Sequence, residues 1–307
     1  MCFNGPAFAM KRVFASIFIL LVVALGAVVW LARSARVSGE LIVYCAAGLK
    51  KPVEEAAVAY ERETGTAVRL QYGGTGSLLS AIRVVKQGDL FIAADAANLE
   101  DARKFGVIRE VVPLVRQRPV VAVRAGNPLK IRAFADLLRR DVRLALANPE
   151  TAAIGRSAKT ALGGKYAQLA EKAAVQKPTV TEIAADLGLG AVDAAVVWDS
   201  TVPQFAGTEA VNLPEFAGIT ENASAAVLAN STQTAGVLQF ARYLAAEGKG
   251  GAIFKKHGFS PVAQELELAD TVRKRVGGSV PTAGFFINPI AANPNHPGWR
   301  PNVRMAK

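Results

Sequence analysis

Three short stretches of the 307-residue chain combine small residues with polar donors: Ala46-Ala47-Gly48, Gly73-Gly74-Thr75-Gly76-Ser77 and Ala152-Ala153-Ile154-Gly155. Each lies where an apolar run gives way to an amphipathic one, which is the turn from a strand into a helix. The first N–H groups of a helix have no intrahelical acceptor, and the helix dipole favours negative charge there. Glycines let a ligand come close to the backbone, and Thr75 and Ser77 add hydroxyl donors. Small residues at one such turn are an ordinary packing device. Three of them in one basic chain point to capture of an anion by neutral donors.

Other chemistries have little to draw on. The chain has two histidines, His257 and His296, and two cysteines, Cys2 and Cys45. That excludes a Cys/His metal cluster and gives a Ser-His-Asp or Cys-His site little to draw on. No enzyme activity, cofactor or free metal ion is expected. Thirty-six Lys and Arg against 25 Asp and Glu give a formal charge of +11. These charges are scattered, with no run longer than Arg273-Lys274-Arg275, so no nucleic-acid groove is expected.

The turns need elements to hold them. Glu40–Cys45 reads as a buried strand. Leu49–Thr64 is an amphipathic helix with Pro52 in its first turn and Gly65 as its stop. Val68–Tyr72 is a strand, Leu78–Gln87 a helix, Leu90–Ala94 a strand and Asn98–Phe105 a helix. A second set follows: strands Pro119–Val123, Val142–Ala147 and Ala194–Trp198, with helices Ile154–Leu162, Lys165–Val175 and Thr181–Leu187. Ala223–Leu228 is a strand leading back, Gln233–Ala246 an amphipathic helix, and Lys255–Phe259 closes the fold. Alternating strands and helices predict an α/β fold with mixed, mostly parallel sheets. Two such sets predict two lobes with a ligand between them, beyond the carboxyl ends of the strands. Lobe 1 is expected over 40–118 plus 228–262 and lobe 2 over 119–227, with crossings at Arg118-Pro119 and Val227-Leu228.

Both ends differ from this body. Lys11-Arg12 precede twenty uncharged, mostly apolar residues, Val13–Ala32. Residues 1–39 therefore read as an export signal or a membrane anchor, with the body outside the cytoplasm, in the periplasm or its equivalent. Residues 263–307 carry Pro281, Pro289, Pro294, Pro297 and Pro301. They read as an extension with a short helix near Leu266–Arg275 and an extended end.

The stretches IVYCAAGLKKPVEEAAVAYERETG, YGGTGSLLSAI, GDLFIAAD, ANPETAAIG, AAVVWDS and AIFKKHGF resemble, in order and spacing, the periplasmic molybdate-binding proteins of ABC transporters. The likeness runs from about Glu40 to Phe259. It implies the type II periplasmic-binding fold, with a hinge. It also implies a monomer that holds a tetrahedral dianion, molybdate or tungstate, by hydroxyls and backbone N–H groups and hands it to a membrane permease. By position, the donors fall at Gly48, Thr75, Ile154, Ile183 and Trp198, with Ala47, Gly76, Ser77 and Gly155 as further candidates. Two positions depart from the family: Gly48 stands where a serine is usual, and Trp198 where a tyrosine is usual. A stretch such as AAGLKKPVEE is also similar to binders that set carboxylates around the metal, which would give Asp199 a part. Otherwise Asp199 is expected to point away or cap a helix at Ser200-Thr201.

Remaining residues read as structure. Cys45 fills a core, and His257 is structural or at the surface. Asp89 and Asp95 act at strand ends or at a lobe contact, and Arg156 and Lys159 form a solvated face. Rival readings keep the fold but change its use: a sulfate, phosphate or ferric receptor, or a membrane-anchored sensor. Ferric receptors need paired tyrosines in the second lobe, and 119–227 contains one, Tyr166.

Overall fold

The computed structural model describes residues 39–262. Apart from Gly39, the expected leader lies outside the described residues, as do the expected Pro-rich extension and the helix near Leu266–Arg275. Eleven strands are described: β1 Leu41–Ala46, β2 Val68–Gly73, β3 Leu90–Ala93, β4 Ile108–Gln117, β5 Pro119–Arg124, β6 Leu144–Ala147, β7 Val175–Lys177, β8 Ala194–Trp198, β9 Thr208–Val211, β10 Glu221–Leu228 and β11 Ser260–Pro261. The α-helices are α1 Lys50–Thr64, α2 Thr75–Val85, α3 Ala96–Lys104, α4 Phe134–Leu137, α5 Ala153–Leu162, α6 Lys165–Lys172, α7 Val180–Gly188, α8 Thr234–Ala245 and α9 Ala252–Lys256. No helix among the described residues is long and apolar enough to cross a membrane.

The strands form two sheets, in the orders β11-β4-β10-β3-β1-β2 and β7-β6-β8-β5-β9. Both are mixed. β1 runs parallel to β2 and β3, and β6 parallel to β7 and β8. The antiparallel pairs involve the strands that carry the chain between the sheets, β10 with β3 and β4, and β5 with β8 and β9. The chain leaves the first sheet at Arg118, between β4 and β5. It returns between Val211 and Glu221, ahead of the expected crossing at Val227-Leu228. The reason is that all of β10 from Glu221 on is hydrogen-bonded within the first sheet.

Helices cover both faces of the first sheet, so its central strands β1 and β3 are apolar on both sides. Along β3, Leu90 and Ile92 join the core under α1, α8 and α9, while Phe91 and Ala93 join the core under α2 and α3. Val43 and Cys45 of β1 face the first of these cores and Tyr44 the second, the period-two alternation of a strand. Helix α1 buries Val53, Ala56, Ala57 and Tyr60. The Tyr60 ring packs 4.9 Å from Phe240 and 5.1 Å from Tyr243 of α8. Gly65, at φ 75°, ends α1 with its N–H on the Glu61 carbonyl, 2.7 Å away, a left-handed cap that a side chain would strain.

Candidate functional site

Four helical starts meet between the two sheets. A turn of 3-10 helix, Ala47–Leu49, leads from β1 into α1. Thr75 opens α2, Ala153 and Ile154 open α5, and Val180 opens α7. Residues from all four line one recess: Ala46, Ala47, Gly48, Gly73, Gly74, Thr75, Ala94, Ala152, Ala153, Ile154, Thr179, Val180 and Trp198. None of these carries a charge. The free space is about 10 Å³, near the minimum for one water.

Thr75 is the polar centre of the recess. It is 1% exposed, and its Oγ1 makes no hydrogen bond among the described residues. A buried hydroxyl without a partner is costly and rare. Thr179, the other hydroxyl on the wall, is committed. As N-cap of α7 it accepts from the Glu182 N–H at 3.3 Å and lies 2.6 Å from Glu182 Oε2. Trp198, at the end of β8, is 1% exposed. A Cβ placed on Gly48 would stand 3.1 Å from Val180 Cγ1 and 3.7 Å from Trp198 Cδ1. The valine thus crowds the place where a serine side chain would begin, and the indole meets it at ordinary contact distance.

The structure brings Gly48, Thr75, Ile154, Trp198 and Ala47 into this recess. The other positions named from the sequence are not on its wall. Ile183 is the fourth residue of α7 and fully buried, while Thr179 and Val180 at the helix start take its place. The Thr179–Glu182 spacing, a capping-box signature, marks that start in the sequence. Gly76 and Ser77 turn their N–H groups to the Thr151 carbonyl, at 2.9 and 3.3 Å. Gly155 packs against the Ala147 carbonyl, where α5 presses on the end of β6.

Charged groups stand around the recess and face one another. Asp199 accepts from the Arg118 N–H at 3.0 Å, from Arg118 Nε at 3.2 Å and from the Ser200 N–H at 2.8 Å, so it points away from the recess. Arg156 pairs with Asp101 of α3 at 2.8 Å. Asp95 follows the recess residue Ala94 and is 1% exposed. Burial pushes its carboxyl up to about 7, against the opposing pull of the Asn98 amide, which donates to it at 2.8 Å. Glu221, which accepts from the Ala96 N–H and the Ser157 hydroxyl, is also raised by burial. In both carboxyls burial disfavours the charged form. Burial likewise pushes the Cys45 thiol far above its ordinary value, so it is not a thiolate nucleophile. Elsewhere, His257 Nε2 meets Glu55 at 2.9 Å, and Asp89 binds the Ile42 N–H and the Ser231 hydroxyl. Lys159 lies 3.6 Å from Glu150 at the surface. No group of His, Cys, Asp and Glu among the described residues is arranged to hold a metal ion.

Comparison with known proteins places the chain in a family. The family model described as bacterial extracellular solute-binding protein matches residues 41–260. A protein of Haemophilus influenzae is 35% identical over 162 residues, 52% of this chain and 66% of that protein, just under two thirds of its length. The molybdate-binding protein ModA of Mycobacterium bovis is 26% identical over 225 residues, 72% of this chain and 84% of that one. The solved periplasmic molybdate-binding protein of Azotobacter vinelandii superposes with a TM-score of 0.60 at 20% identity, covering 71% of this chain and 98% of that one.

Proposed function

The chain belongs to the bacterial extracellular solute-binding proteins, and from that membership we propose that it captures a tetrahedral oxyanion, molybdate or tungstate, in the recess between its lobes. The observation that carries this reading is the Thr75 hydroxyl, buried without a partner in an uncharged recess at four helix starts. Thr75 Oγ1 donates to one oxygen of the anion. Backbone N–H groups at Gly48, Ile154 and Val180 and the Trp198 indole offer donors to the others. Fixed dipoles spread the dianion's charge without a salt bridge, so release requires only that the lobes open. The protein performs no reaction; it delivers the anion, as a monomer, to an ABC permease, and residues 1–39 serve as its export signal or anchor.

Titrating the full-length protein with molybdate, tungstate, sulfate and phosphate tests the reading by calorimetry. Saturable molybdate or tungstate binding that excess sulfate does not displace supports it; preference for sulfate or phosphate transfers the site to that anion. Gly48 and Trp198 are the reason to run all four, because one hydroxyl fewer and one larger ring reshape the recess. A ferric receptor is disfavoured, since Tyr166 lies on α6 and is not among the lining residues.

A further inference from the structure

Gly74 and Gly76 have no conformational need to be glycine. Gly74, the N-cap of α2, sits at φ −66°, ψ 144°, a backbone any residue adopts. Gly76 is in the first turn of α2 and has no positive φ. What both lack is room. A Cβ on Gly74 would overlap the Thr151 carbonyl oxygen and stand 2.5 Å from that of Pro178. One on Gly76 would overlap the Glu150 carbonyl oxygen. Thr151, Pro178 and Glu150 belong to loops of the second sheet, after β6 and β7. The obstacles are backbone atoms, so no side-chain rotation removes them.

The same approach makes a bond. Gly74 supplies no side chain to cap α2. The Gly76 and Ser77 N–H groups are instead met by the Thr151 carbonyl of the other lobe, at 2.9 and 3.3 Å. Helix α2 is therefore capped in trans, and only while the lobes are together.

We infer that Gly74 and Gly76 form a closure clasp: their bare backbone lets the second lobe's 150–151 loop seat on the α2 N-terminus, and that seating holds the anion in. The inference rests on the anion-binding reading for its ligand but not for its geometry. Two donors of α2 serve closure, leaving the Thr75 hydroxyl for the anion. With the lobes apart, water replaces the Thr151 carbonyl and a methyl group at either position meets nothing from the second lobe. Substitution thus penalises the closed state alone.

The test uses the full-length protein carrying Cys2→Ser, spin-labelled at Val58→Cys and Leu189→Cys, which are exposed positions, one on each lobe. Gly76→Ala is the main variant, because Gly76 does not line the recess and a binding defect there is not a lost ligand contact. Gly74→Ala is the second. Gly164→Ala, where a Cβ meets nothing within 4 Å, is the control. With molybdate, the unsubstituted pair is expected to shift to a short interlobe distance, as is Gly164→Ala. Gly76→Ala is expected to stay long, bind molybdate about 10- to 100-fold more weakly, and melt no lower than its parent. Closure and affinity unchanged in both Gly74→Ala and Gly76→Ala would overturn the clasp. So would a sharp fall in the melting temperature of both, which would make the glycines a requirement of the fold. If the parent binds none of the four oxyanions, the anion reading fails and the ligand-free distances decide. A short population present in the parent and absent in Gly76→Ala upholds the clasp; identical distributions reject it.

Discussion

Replacing Thr75 by valine removes one hydroxyl and keeps the shape of the side chain. In the structure that hydroxyl is buried and unpartnered, and an unsatisfied buried group costs about 1–3 kcal/mol. Valine removes the cost, so the ligand-free protein gains up to about 1 kcal/mol, a rise of about 2–4 °C in melting temperature. With an anion bound, the hydroxyl donates to a charged oxygen, a bond of about 1.5–3 kcal/mol. Its loss raises the dissociation constant about 10- to 150-fold. The two effects have opposite signs, which separates a binding role from a structural one. Differential scanning calorimetry reads the first and isothermal titration with molybdate the second. A Thr75→Val protein that melts lower than its parent and binds equally well would refute the assignment, for then the hydroxyl serves the fold.

Four other outcomes follow from the same geometry. Trp198 is the only tryptophan among the described residues and lines the recess, so anion binding should change its fluorescence; Trp198→Phe should abolish most of that change and weaken binding about 10-fold, and an undiminished signal would place the reporter elsewhere. Asp95 is raised to about 7 by burial, so its protonated form is the one the fold favours; this contribution is fullest below about pH 4 and is lost as pH rises through 7, up to about 4 kcal/mol, and urea melts at pH 5 and 8 should show that slope in the parent and not in Asp95→Asn. Asp193 is held below the usual carboxylate range by hydrogen bonds from Arg143, with Arg124 adding attraction; its stabilisation is present above about pH 4 and lost as pH falls below it, and Asp193→Asn should cost about 1–2 kcal/mol at pH 7, with an equal melting point refuting the role. Gly48→Ser should not tighten binding by itself, because its Cβ crowds Val180 at 3.1 Å; calorimetry of Gly48→Ser with and without Val180→Ala checks this, and tighter binding by the single variant would count against it.

Much of the fold was legible because its strands are short apolar runs bounded by turn residues. Helix α1 follows from its amphipathic face, Pro52 and Gly65. β4 was not legible. Pro113 falls in its middle and argues against a strand, but it sits opposite Ser224, where the register of β10 shifts and the missing N–H is absorbed by a bulge. β7, β9 and β11 are two to four residues long and leave almost no periodic signal. In the site, glycine-rich turns showed three of the four helix starts. The fourth start, expected at Thr181, lies one residue earlier at Val180, and the donor expected at Ile183 falls three residues beyond it, because Ile183 is the apolar anchor of α7 and the polar Thr179 caps its beginning. What sequence alone withholds is which donors face the recess and which face the other lobe: Thr75 and Gly76 are neighbours, yet one lines the recess and the other meets Thr151.

The strand order of the first sheet bears on how the chain comes to be folded at all. β10 lies between β3 and β4, so the edges of those two strands have no partner until residue 228 is present. The second sheet is built from 119–211 without interruption and can assemble as soon as that stretch emerges. A chain delivered from its N-terminus therefore completes its second lobe before its first, with β1 to β4 waiting on residues still to come. Such an order makes the last forty or so described residues, which bring β10 and β11, the trigger of final folding.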